Sequence, residues 1–123
     1  MFRKIIHQIF IIVSILFVML LFFVIQTGSD LYEDFQSEQK FELNIMNKFY
    51  KNINDNYSLK KISSNRETYQ YVRNNRKKKM FQMTDDQGSE DLFYYSGFLG
   101  KKTVGIEGIT RNGNNKITKI FLN

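Results

Sequence analysis

Apolar side chains run from Ile9 to Ile25 with Ser14 as the one exception, and Ile5 and Ile6 extend the run toward the N-terminus. A helix needs about 20 residues to cross ~30 Å of hydrocarbon, so residues 5–25 are expected to span a membrane. Ser14 is tolerated there because its hydroxyl can bond back to a carbonyl one turn earlier. After the run the pattern becomes periodic. Leu31, Phe35, Phe41, Ile45, Met46, Phe49, Tyr50 and Ile53 share one half of a helical wheel, and Glu33, Gln36, Lys40, Asn44, Asn47 and Lys51 occupy the other. This predicts an amphipathic helix from about Ser29 to Asn54. Gly28 and Ser29 allow a break from the span, with Ser29 or Asp30 capping a fresh start. With no proline between them, one long helix is equally allowed. Glu38 and Glu42 interrupt the apolar arc one turn apart. They fit either a wet stretch near the membrane or salt bridges to basic residues of the following domain or of a neighbouring subunit.

Beyond Asn56 the period shortens. Residues 68–74, 79–84, 92–98, 103–110 and 116–122 are short segments rich in β-branched and aromatic side chains. Turn formers separate them: Asn74-Asn75, the stretch Asp85 to Ser89, Gly100-Lys101-Lys102, and Asn112-Gly113-Asn114-Asn115. The Asn-Gly step marks the last pair as a hairpin. The expected class is therefore α+β, with an amphipathic helix packed on an antiparallel sheet of four or five strands, each burying the other's apolar face. The expected organisation is a cytoplasmic tip and transmembrane anchor over residues 1–28, the amphipathic helix over 29–56, and an antiparallel β domain over 57–123.

Charge orients the chain. Arg3 and Lys4 precede the span, whereas Asp30, Glu33 and Asp34 follow it, with no basic residue before Lys40. The excess of basic residues on the N-terminal flank predicts a cytoplasmic N-terminus and an extracytoplasmic remainder. A cleavable signal peptide is the rival reading, since Thr27-Gly28-Ser29 offers small residues for a peptidase, but its apolar core is usually only 7–15 residues long. The net charge of +6 is concentrated beyond the amphipathic helix, at Lys60, Lys61, Arg66, Arg73, Arg76, Lys77, Lys78 and Lys79. Residues 30–55 lean acidic instead, so the basic segment either pairs with them or meets an anionic partner.

The residue inventory narrows the chemistry. The chain has no cysteine and a single histidine, His7, at the cytoplasmic edge of the span. Thiol nucleophiles, Ser-His pairs and His-rich metal sites in the outer domain are thereby excluded, and no catalytic residue, cofactor or metal is expected. The cluster Asp85-Asp86-Gln87-Gly88-Ser89-Glu90-Asp91 has oxygen ligands that suit calcium, but its spacing is not that of an EF-hand, and the same composition makes a solvated loop. Tyr69 to Lys79 interleaves aromatics with positive charge. Arg73, Arg76, Lys77, Lys78 and Lys79 are thus the candidate contacts for DNA or another polyanion, set against a solvated basic turn between two strands. Anionic wall polymers and lipid headgroups would respond to the same charge.

A charged N-terminus, one apolar span, its amphipathic extension and a small antiparallel sheet resemble type IV pilin-like proteins, especially the minor pseudopilins of Gram-positive competence systems. The resemblance covers the whole chain in architecture. Arg3 and Lys4 stand where that family has a basic leader, while Ile5 to Phe10 lacks the family's glycine and its Phe-Thr-Leu-Xaa-Glu motif, so no functional residue carries over. The resemblance implies a subunit of a surface filament or DNA-uptake apparatus, with sister pilin-like chains as partners and exogenous DNA as a ligand. Glu38 and Glu42 are candidates for subunit docking on their own position in the apolar arc, not through the resemblance. The alternative is a bitopic accessory protein of a secretion, conjugation or division complex whose outer domain docks on partners. A binding protein released after Ser29 is a third expectation.

Overall fold

The computed structural model describes all 123 residues and is α+β. A single helix, α1, covers Phe2–Ile53 without a break, and two short helices, α2 (Asn56–Ile62) and α3 (Arg66–Asn75), follow it. Strands β1 (Leu92–Leu99), β2 (Lys102–Arg111) and β3 (Asn114–Leu122) form one antiparallel meander in the order β1-β2-β3. The chain divides into two compact units, Met1–Lys40 and Phe41–Asn123.

The first unit is helix alone. The apolar side chains of residues 5–25 are all exposed, from Ile11 at 44% to Phe22 at 70%. The helix is long and apolar enough to cross a membrane. Ser14 Oγ donates to the Phe10 carbonyl at 2.8 Å, and Thr27 Oγ1 donates to the Phe23 carbonyl at 2.9 Å. Both hydroxyls are thus satisfied within the helix itself. Gly28 and Ser29 do not interrupt α1, consistent with the absence of proline from the chain.

The second unit is built around the last turns of α1. Ile45, Phe49 and Ile53, four residues apart, are fully buried, as one helical stripe requires. The Phe41 ring meets Phe93 edge-on at 5.9 Å between centroids. Leu59 and Ile62 from α2, Val72 from α3, Met80 from the chain after it, and Phe93, Tyr95, Leu99, Val104, Ile106, Ile117 and Ile120 from the sheet complete the core. In β1 every second residue from Phe93 onward is buried, the period of a half-covered strand. The β1–β2 register runs from Leu92 opposite Ile109 to Leu99 opposite Lys102. Between β2 and β3 the register slips, since Glu107 pairs with Lys119 and Gly108 with Ile117. Thr118 is therefore an extra residue, a bulge that brings both Ile117 and Ile120 to the core side although they are three apart.

Two expected strands are absent. Residues 68–74, expected as extended, lie within α3. Asn65 caps it, its side chain accepting from the Thr68 amide at 2.8 Å, and the buried Thr68 and Val72 lie four apart on the packed face. Residues 79–84 make no regular strand because Gln82 adopts φ 51°, in the left-handed region. They still run along the free edge of β1. Phe81 and Phe98 exchange both backbone hydrogen bonds, and the Thr84 and Gln87 amides donate to the Ser96 and Tyr94 carbonyls. At the opposite edge, the Ser64 amide donates to the Ile120 carbonyl at 2.9 Å. Both margins of the sheet are thereby engaged by irregular chain, which blunts edge-to-edge association. The sheet thus has three strands where four or five were expected, and the two missing segments serve as a helix and an edge cover.

Candidate polyanion-binding surface

Arg73 lies in the last turn of α3, Arg76 is its C-cap, and Lys77, Lys78 and Lys79 continue from it as a turn and extended chain. The basic run thus leaves a helix rather than linking two strands. Cations at this end complement the helix dipole, a local reason for several of them. Arg76 is also engaged sideways, its Nη1 donating to Asn56 Oδ1 at the start of α2 at 2.8 Å. Arg73, Lys77, Lys78 and Lys79 are exposed.

Tyr71 joins this end of α3 to the β1–β2 turn. Its hydroxyl donates to the Leu99 carbonyl at 2.6 Å and accepts from the Lys101 and Lys102 amides, each at 3.1 Å. Gly100, at φ 68°, supplies the left-handed backbone that closes so short a turn. A Cβ at Gly100 would come within 3.3 Å of Lys78 Nζ, so the Lys78 ammonium lies beside the turn that carries Lys101 and Lys102. Lys102 Nζ sits 5.1 Å from the Tyr71 ring centroid and 3.6 Å from Glu67 Oε1, in the one ion pair of the chain. Both partners of that pair are largely exposed, so it adds little to stability and leaves the surface mainly positive.

The fold therefore gathers Lys78, Lys101 and Lys102 around Tyr71, with Arg73, Lys77 and Lys79 on the adjoining stretch of chain. Sequence reasoning finds the run from Arg73 to Lys79 and misses Lys101 and Lys102. Those two are separated from the run by some twenty residues, and the only signal linking them is a tyrosine hydroxyl in need of partners.

Glu38 is exposed, Glu42 is half-buried, and neither forms an ion pair. In the acidic loop, Asp86 Oδ1 accepts from the Gly88 and Tyr94 amides, both at 2.9 Å. That carboxylate is oriented by backbone donors, as in a capped turn, and no group of three or more acidic or histidine side chains is gathered that could hold a metal ion. No known family, curated protein or solved structure matches the chain.

Proposed function

We propose that this chain is a minor pilin-like subunit of a cell-surface filament or DNA-uptake apparatus, anchored by its N-terminal helix and without catalytic activity of its own. One observation carries the reading. A continuous helix of 52 residues is apolar and wholly exposed along its first half, whereas its last turns supply Ile45, Phe49 and Ile53 to the core of an α+β unit. Contiguous exposed apolar surface on this scale requires lipid, other apolar helices, or both in succession. A subunit that waits in a membrane and then enters a helical bundle uses both. The positive charge preceding the apolar segment and the acidic residues following it support a cytoplasmic N-terminus and an outer location for the α+β unit. In this reading the surface around Tyr71 contacts DNA or another polyanion.

The test is a photo-crosslinking amino acid at Phe22 in the full chain, followed by purification through a tag after Asn123 and identification of the attached proteins. Pilin-like chains crosslinked through their own apolar helices are the expected result. Attachment only to unrelated membrane proteins would replace the proposal with an accessory-subunit role.

A further inference from the structure

A second concentration of positive charge lies outside the surface around Tyr71. Lys48 from the end of α1, Lys61 from the last turn of α2 and Lys116 from β3 line one cleft of about 380 Å³. These residues are remote in sequence, so only the fold assembles them. No aspartate or glutamate lines the cleft, and none of the three lysines is in an ion pair. Asp55, just before α2, is occupied there, accepting from the Tyr57 amide at 3.2 Å and from Ser58 Oγ at 2.9 Å. Asp55 borders a neighbouring depression that also contains Lys48 and Lys51.

Part of the cleft is held in place. Lys48 Nζ donates to the Asn115 carbonyl. The Asn115 side chain in turn accepts from Thr110 Oγ1 at 2.7 Å and donates to Asn44 Oδ1 at 2.9 Å. This network joins α1 to the β2–β3 hairpin and fixes one wall before any ligand arrives. Three lysines lining one cleft, with no carboxylate among its residues, make it a positively charged recess that favours an anion.

We infer that this cleft binds a phosphate ester of a polyol or sugar. Lysines act as compact point charges that can surround a tetrahedral phosphate, whereas a planar carboxylate is best matched by the guanidinium fork, and no arginine lines the cleft. The volume falls within the range of small-molecule sites and exceeds what a bare phosphate needs. Among the lining residues the ring of Tyr57, which is 77% exposed, offers apolar surface for the carbon frame attached to the phosphate, whereas Ile62 and Ile117 are buried. The ester can be a free molecule or one unit of a phosphodiester polymer, the recognised chemistry being the same. The inference is independent of the pilin-like reading.

The experiment uses the full chain in non-ionic detergent and follows the backbone amides of Ile117 and Thr118 by NMR during titration with glycerol phosphate and with a short oligomer of glycerol phosphodiesters. Saturable shifts at these amides are expected. Joint Lys61→Gln and Lys116→Gln substitution should weaken binding about tenfold or more. Lys48 is left intact because it also holds the hairpin, and retained dispersion of the amide spectrum verifies the variant's fold. Joint Lys40→Gln and Lys119→Gln substitution, which removes equal charge at exposed positions outside the cleft, should leave the affinity within about twofold if binding is local rather than an effect of net charge. Tighter binding of the oligomer assigns the site to a polymer unit, and equal binding per phosphate assigns it to the free ester. Absence of saturation with both ligands, or equal weakening by the two double variants, overturns the inference.

Discussion

At the scale of single residues, Tyr71 does more than its position in a basic, aromatic-rich segment implies. Its hydroxyl makes three hydrogen bonds to the β1–β2 turn. Tyr71→Phe keeps the ring and removes the bonds, so a loss of about 1–3 kcal/mol in unfolding free energy is expected in denaturant titrations. The same change frees the turn carrying Lys101 and Lys102. Replacing Lys78, Lys101 and Lys102 by glutamine should weaken binding of single-stranded DNA across sequences. It should also flatten the salt dependence by close to one power of salt for each phosphate these lysines neutralise, measured by fluorescence titration. An unchanged slope would remove these residues from any nucleic-acid interface. Some residue-level features are legible without a structure. Ser14 bonds back along its helix as its surroundings require, and Asn112 and Gly113, at φ 53° and 76°, make the turn that their identities predict. The approach of Lys78 to the turn that carries Lys101 and Lys102 is not legible, because it depends on long-range packing and leaves no periodic trace.

At the scale of elements, the apolar run and the amphipathic extension are readable because each repeats one pattern over many residues. Gly28 and Ser29 leave their fusion into one helix open, and the structure shows it as unbroken. The segment from Thr68 to Asn74 misleads for an identifiable reason. Thr68, Tyr69, Tyr71 and Val72 all favour strands, but that preference reflects packing on a pleated surface rather than an intrinsic backbone rule. Here Asn65 caps a helix and Thr68 and Val72 face its core side. Asn65→Ala should therefore cost about 1 kcal/mol of stability, seen as a lower denaturant midpoint with an unchanged slope. Were this segment a strand, the substitution would have little effect. The weak alternation in β2 and β3 has a cause of its own, since the extra residue at Thr118 shifts the pairing between Glu107 and Gly108. A simple period of two fails at such a point, and only the paired register reveals why.

At the scale of the whole molecule, the division of labour follows from where apolar side chains find cover. From Phe41 onward the apolar residues that form the core are buried against one another, while residues 5–25 have no cover within the chain. The sequence and the structure agree on this contrast because both follow from the same unbroken apolar run. A function assigned through the filament resemblance goes further, since it concerns partners that no side chain in the chain identifies. Filament and accessory roles alike depend first on an anchor that crosses the membrane and displays the α+β unit outside. The chain has no cysteine, so an introduced thiol is its only maleimide target once the tagged chain is isolated from the membrane fraction. A single Ser89→Cys substitution in the exposed acidic loop is treated in intact cells with a membrane-impermeant maleimide, and the membrane fraction is then assayed for label. Labelling of membrane-bound protein in intact cells is the predicted result; labelling only after the cells are opened would place the α+β unit inside and contradict this topology.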